Sequence, residues 1–287
     1  MPRPIDVVYP NKGSTSSSHT GSNKKLPIVL CLDVSPSMFN YDRFLYQNMA
    51  VKQFLQEIVR LGKVRIAAEV AFVTFSDKIV YETDFMPISA MHFGKDISAE
   101  DIPSTYQLSG KTMNYTLTVP HFRPVEYESC TELPESVGYA HKKLKERLNA
   151  LIRLKTLNYA SFLVVCTDGN PDTAQYGSAE MLEYQGVERK VVRELGSRCN
   201  PGCRPSELIL PFFIGIGSDG VDMSGLQRLA GNLPSSFYPI RNTDDDLYRL
   251  GDVFAALART IANSINYNST NDLLKLISDT VKAAANP

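Results

Sequence analysis

The sequence predicts an α/β domain with a doubly wound, mostly parallel central sheet and one antiparallel edge strand. The first observation is a recurrence of short runs rich in Val, Ile and Phe, at Ile28–Leu32, Ile66–Phe75, Ile79–Phe85, Ser161–Thr167, Leu208–Ile216 and Phe237–Ile240. The second is that helically spaced apolar residues fill the intervals between them, at Phe44–Leu61, Leu133–Leu151, Ala179–Leu195, Met223–Leu229 and Leu247–Ser264. Strands alternating with helices of this length place helices on both faces of a parallel sheet. The third is Ser76-Asp77-Lys78, a connection too short for a helical crossover, so the runs on either side of it form an antiparallel hairpin at the sheet edge.

Around this domain the organisation is uneven. Residues 1–25 read as a flexible leader, because Asn11 to Lys25 is Ser- and Gly-rich and lacks the apolar residues that offset the entropy of ordering. The domain proper is expected over 26–268. Within it, about 87–128 shows no sustained helical or strand period, and a connection that long is an insertion or a functional loop. Its aromatic residues, among them Phe122 and Tyr127 beside Arg123, suit either an interaction surface or the core of an inserted subdomain. After a polar break at Asn266–Asn271, residues 269–287 contain an amphipathic helix from Asp272 to Ala285.

Composition narrows the functional classes. A 287-residue chain with 43% hydrophobic and 21% charged residues supports one large core or two small ones. The net charge of -1 and pI near 6.4 lack the basic footprint of a dedicated nucleic-acid binder, so no nucleic-acid partner is expected. No run has the length of a membrane span or the form of a signal peptide, and cysteine is sparse at five residues. A cytoplasmic location is expected on these grounds, with no membrane partner. Cys31 and Cys166 fall inside strand candidates, where thiols act as small hydrophobes.

In such sheets ligands bind beyond the carboxyl ends of the strands. Asp33-Val34-Ser35-Pro36-Ser37 follows the first strand, Asp168-Gly169 follows the fourth, and Thr131 closes the irregular interval just before a helix. Alternate residues of an extended turn point the same way, so Asp33, Ser35 and Ser37 can converge three oxygens on one point. Two carboxylates and three hydroxyls suit a hard dication that takes about six oxygen ligands, some from water. With these three motifs in this order, the region from Leu26 to Ser264 resembles the von Willebrand factor type A family and its metal-ion-dependent adhesion site.

That resemblance implies that Ser35, Ser37 and Thr131 bind the ion directly, while Asp33 and Asp168 hold water ligands or coordinate according to state. It implies Mg2+, or Mn2+ or Ca2+, as the ion. It further implies a protein partner that donates an Asp or Glu, and an adaptor role like that of stand-alone intracellular bacterial members of tellurium-resistance, stress or defence systems. Ser129-Cys130 stands where many members have glycines, and Glu132 follows Thr131 where a neutral residue is frequent, which makes the rim more acidic.

Competing readings rest on thinner patterns. Asp and Ser at 33–37 could serve merely as turn and helix-cap residues. Asp172, beside Pro171, reads as a turn residue. Gly215-x-Gly217-x-x-Gly220 formally matches a dinucleotide fingerprint but reads better as tight-turn glycines. Cys199 and Cys203 lack the neighbouring His or second Cys pair of a zinc site. A Mg2+-dependent haloacid-dehalogenase-like phosphatase would also place an Asp after the first strand, yet it requires a second carboxylate two residues on, where this chain has Ser35. His19, His92, His121 and His141 are too scattered to complete a hydrolase triad. A structural scaffold with an idle metal site remains the third class.

Overall fold

A computed structural model of the chain describes residues 24–61, 67–88, 91–92, 110–111, 116–118, 122–126, 131–156, 158–169, 177–200, 202–217, 224–231, 237–267 and 269–285. The strands are β1 (Leu26–Asp33), β2 (Ala68–Phe75), β3 (Ile79–Glu82), β4 (Met86–Pro87), β5 (Met91–His92), β6 (Gly110–Lys111), β7 (Thr116–Thr118), β8 (Ser161–Thr167), β9 (Ile209–Ile216) and β10 (Phe237–Ile240). The helices are α1 (Arg43–Arg60), α2 (Leu133–Arg153), α3 (Ser178–Ser197), α4 (Ser224–Ala230), α5 (Asp244–Ser264) and α6 (Thr270–Ala285).

The main sheet runs in the order β10-β9-β8-β1-β2-β3, with β4 also paired to β2. β1, β2, β8, β9 and β10 are mutually parallel, whereas β3 and β4 run antiparallel to β2. The chain therefore winds outward from β1 to one edge and returns to wind to the other, and the crevice at the carboxyl end of β1 lies where the winding reverses. The hairpin at Ser76–Lys78 forms as its length requires. Its second strand runs from Ile79 to Glu82, with a register shift opposite Thr74 and Phe75 next to the hairpin turn.

Side chains alternate across the sheet into two cores. Ile28, Leu30, Leu32, Phe72, Phe162, Phe212 and Ile214 face α1 and α5, where Phe54 and Phe254 meet edge to face at 6.1 Å. Val29, Cys31, Val73, Phe75, Leu163, Val165 and Phe213 face α2, α3 and α4. Burying each such aromatic contributes roughly 1.5–3 kcal/mol, so both faces are needed to hold the layers. Cys31 and Cys166 are fully buried strand residues, and burial raises both thiol pKa values. α6 is not a bare tail: Leu273 is buried in the first core and the Thr270 hydroxyl donates to the Cys203 carbonyl at 2.7 Å.

The leader, apart from Lys24 and Lys25, lies outside the described residues, and so does most of 87–128. What is described of that interval includes a small sheet in which β7 pairs parallel to β5 and antiparallel to β6. It also includes Phe122, which corrects one reading of the aromatics: the ring is buried against Phe72 and Tyr81 and is unavailable to a partner. Asn48 on α1 fixes it there by accepting from the Phe122 N–H at 2.8 Å and donating to its carbonyl at 2.6 Å.

His141 on α2 is 2% exposed, and neither ring nitrogen has a hydrogen-bond partner. Burial pushes its pKa down to about 4, against an ordinary value of 6.5; Glu194 opposes this to a lesser degree, while Lys145 and Arg198 add to it. A depressed histidine pKa means the unfolded chain binds the proton first. The stability of the neutral buried ring is thus present above about pH 6.5 and lost as pH falls towards 4. We expect about 2–3 kcal/mol to be lost between pH 7.5 and 4.5 through this group alone. Urea midpoints of His141→Leu should show that part of the acid sensitivity gone; an identical pH slope in the variant would refute it.

Candidate functional site

Asp33 ends β1 and is fully buried, with its carboxylate spanning two strand ends. Its Oδ1 accepts the Ser35 N–H at 2.7 Å, and its Oδ2 accepts the hydroxyl of Thr167, the last residue of β8. The Thr167 hydroxyl oxygen in turn accepts the Gly169 N–H at 2.9 Å, which shapes the turn carrying Asp168. The Asp33 carboxylate is therefore immobilised by its neighbours.

The Asp33–Ser37 turn is held to the neighbouring strand by the Val34 N–H donating to the Phe75 carbonyl at 2.8 Å. Beyond it, the Ser35 and Ser37 hydroxyl oxygens lie 2.9 Å apart; Ser35 is extended but Pro36 and Ser37 already belong to a 3-10 turn, so the start of that turn, and not alternation along an extended one, brings the two hydroxyls together. Thr131 is buried just ahead of α2, on the same edge of the sheet, where the Glu132 N–H donates to the Ser76 carbonyl past the end of β2 at 2.9 Å. Asp168 is buried at the end of β8, with Oδ2 held by Arg43 Nη1 at 2.7 Å. Asp168 Oδ1 is buried and accepts no hydrogen bond among the described residues.

Packing two carboxylates into one buried place has an electrostatic consequence. Burial first, and then the Asp168 charge, push the Asp33 pKa up to about 7 despite hydrogen bonds from Ser35 and Thr167. Asp168 is raised by burial as well, while Ser37 and Arg43 draw it back down. The folded chain thus maintains anionic charge at a real cost, which a positive group in the crevice would relieve.

Further contributors are missing from the sequence reading. Arg43, the first residue of α1, bonds Asp168 and also donates Nε to Asn242 Oδ1 at 3.0 Å, at the corner between β10 and α5. Gln47, one turn later, donates to the Asp33 carbonyl at 3.0 Å. Both are buried, and both continue towards the helix start the stripe formed by Ala50, Val51, Phe54 and Ile58. A polar residue extending an apolar stripe is the signal that could have found them. Ahead of α1, a 3-10 turn over Pro36–Asp42 ends with Tyr41 (φ 55) and Asp42 (φ 53) in left-handed conformation, which turns the chain so that α1 begins against Asp168. A left-handed Tyr is a strained choice, of a kind that clusters at functional sites.

The other sequence candidates resolve differently. Gly217 has φ +90, and a Cβ there would sit 2.9 Å from Arg43 Nη2, so this glycine is required by the turn and by Arg43. Gly220 and Asp172 lie outside the described residues, as do Ser129, Cys130, His19 and His121. Cys199 and Cys203 are free thiols. Among the described residues no group of three His, Cys, Asp or Glu side chains gathers. Hydroxyl and carboxylate oxygens at the strand ends, with one buried carboxylate oxygen uncommitted, are a donor set that fits a hard dication.

No family model matches the chain, and no curated protein matches it. Among solved structures it is similar to the pilus adhesin SpaC of Lactobacillus rhamnosus GG in its open conformation, at 16% identity over 88% of this chain and 31% of that one, with TM-score 0.51. It also matches the vWF domain of the type V pilus tip protein Mfa5 of Porphyromonas gingivalis (11% identity, 83% of this chain, 95% of that one, TM-score 0.48). A third match is the manganese-loaded TRAP protein of Plasmodium vivax (15% identity, 82% and 74% covered, TM-score 0.39). The chain spans about a third of the length of the pilus adhesin. At these identities the likeness concerns the fold. Taken with the strand order and the antiparallel edge, the likeness to the pilus adhesin bears out the α/β fold class, a mostly parallel central sheet with helices on both faces.

Proposed function

We propose that this chain is a non-catalytic module that captures a protein partner through one divalent cation, Mg2+ first and Mn2+ or Ca2+ as alternatives. Asp33, Ser35, Ser37, Thr131 and Asp168 would hold it, and the partner would supply an Asp or Glu. The observation that carries this reading is the pair of hydroxyls 2.9 Å apart in front of a fully braced Asp33, beside a buried Asp168 with one oxygen uncommitted. When bound, the ion supplies a Lewis-acidic position that accepts a carboxylate oxygen. The protein's part is to hold Asp33 rigid through Ser35 and Thr167 and to present the two serine hydroxyls.

Catalysis is not what these residues support. Ser35 stands where a phosphatase of the dehalogenase type needs a carboxylate acid and base, and its hydroxyl does not exchange protons usefully near neutral pH. His141 is locked in the helical layer, so it cannot serve as a base at the strand ends. Selectivity among partners would fall to the surroundings, above all to 87–128, whose end is docked beside the site by the Val125 N–H donating to the Val34 carbonyl at 2.8 Å. No helix among the described residues is long and apolar enough to cross a membrane. By its resemblance to stand-alone bacterial members, the role we assign is that of a cytoplasmic adaptor in a stress or defence system of the tellurium-resistance type.

The test is affinity capture from cell lysate in Mg2+ and in EDTA, read by mass spectrometry, alongside an assay on generic phosphomonoesters in Mg2+. Expected are partners retained in Mg2+ and lost in EDTA, with no turnover. Capture indifferent to EDTA favours the idle-site scaffold. Turnover lost in Asp33→Asn favours the phosphatase.

A further inference from the structure

The Arg43 guanidinium occupies a place that a dication site does not obviously call for. It is 4% exposed, sits 2.7 Å from Asp168 Oδ2, and is held from its other side by Asn242 Oδ1 at 3.0 Å. Gly217 leaves room for it, since any side chain there would collide with Nη2 at 2.9 Å. Three elements distant in sequence, the start of α1, the turn after β9 and the corner after β10, are thus arranged to seat one cation beside the candidate site. Structural need alone explains this poorly, because buried ion pairs gain little over well-packed apolar groups.

We infer that Arg43 is a specificity-determining residue that weakens the site's hold on the metal ion and strengthens the ion-loaded site's hold on an incoming carboxylate. This rests on the metal-binding reading above. Two carboxylates and one guanidinium leave a single net negative charge, so a bound dication makes the whole site singly positive. Without Arg43 the loaded site would be neutral and would offer an anionic partner less attraction. Arg43 also engages Asp168 Oδ2, and Oδ1 is the Asp168 oxygen without a hydrogen-bond partner among the described residues, open to the ion or its water. A site in which Asp168 gives both oxygens to the ion would satisfy the metal internally and leave it a poorer acceptor for an outside ligand.

The test measures Mn2+ affinity by calorimetry, and acetate binding to the Mn2+-loaded protein by water-proton relaxation, in wild type, Arg43→Gln and Arg43→Lys. Expected are Mn2+ binding at least about tenfold tighter in Arg43→Gln with acetate binding about fivefold or more weaker, and near wild-type values for both in Arg43→Lys, which keeps the charge. If Arg43→Gln does not fold by circular dichroism, Arg43→Met, which keeps the apolar stem, takes its place. A merely structural role would lower the melting temperature without tightening Mn2+. Equal or weaker Mn2+ binding in a folded, charge-free variant therefore overturns the inference alone. Absence of Mn2+ binding in the wild type removes the metal-site reading and this inference with it.

Discussion

Asp33→Asn is expected to lower affinity for Mg2+ or Mn2+ by about a hundredfold or more, while leaving the metal-free protein at least as stable as wild type. The two halves of this expectation have one cause. Asp33 is fully buried next to a second carboxylate, and its pKa is raised to about 7, so folding opposes its charge at neutral pH. For an acid the sign is unambiguous: a folded pKa above the unfolded one makes the ionised group a net cost, present in full above pH 7 and absent below about pH 4. An amide of the same shape removes that cost and retains an oxygen for the Ser35 N–H. Free metal at a hundred times its Kd should stabilise the wild type by about 2.7 kcal/mol. The variant should gain no more than about 0.4 kcal/mol at the same metal concentration, as thermal melts in EDTA and in Mg2+ would show. A metal-dependent rise in melting temperature that survives in Asp33→Asn would rule out Asp33 as part of the site.

Gly217→Ala is expected to destabilise the protein by about 3 kcal/mol, a large effect for one methyl group. The backbone there has φ +90, which L side chains rarely adopt, and that alone costs about 1–2 kcal/mol. The rest comes from contact, since the added Cβ would lie 2.9 Å from Arg43 Nη2 and 3.0 Å from Asn242 Oδ1. Flexible side-chain ends often yield cheaply, but Arg43 is buried and tied to Asp168, so its retreat strands a buried carboxylate. Urea unfolding of Gly217→Ala in the wild-type and Arg43→Gln backgrounds checks this. The two substitutions should be clearly non-additive, because the second removes what the first collides with. Strict additivity would show that backbone strain accounts for the whole effect.

Most of the scaffold was legible in the sequence because its strands are buried on both faces and so carry continuous apolar runs. The helices from 43 to 60 and 133 to 153 start and stop within a few residues of the positions that periodicity marks. The antiparallel edge followed from a connection of three residues at Ser76–Lys78, a purely geometric limit. Less legible was the stretch 87–128, where β5, β6 and β7 are only two or three residues long, too short to show a period. Asp33, Ser35 and Ser37 could be proposed for a related reason: they are neighbours in sequence, although the Ser35 and Ser37 hydroxyls meet at the start of a 3-10 turn rather than along the extended one expected.

Properties that arise within one segment could be read along the chain: strand and helix character, the edge hairpin, and the oxygen-bearing residues at strand ends. Everything that depends on segments far apart in the chain came only with the fold. The bond from Thr167 to Asp33 crosses 134 positions and that from Arg43 to Asp168 crosses 125. The local pattern around Arg43 shows at most that it extends the apolar stripe of α1 towards the helix start; it does not name a partner. Its burial, its pairing and the glycine that makes room for it exist only once β8, β9 and β10 have been laid beside β1 in parallel register. Charge is the physical reason for the division. Hydrophobic period is written along the chain, whereas the balance of buried charges is a sum over whatever the fold brings within a few ångströms.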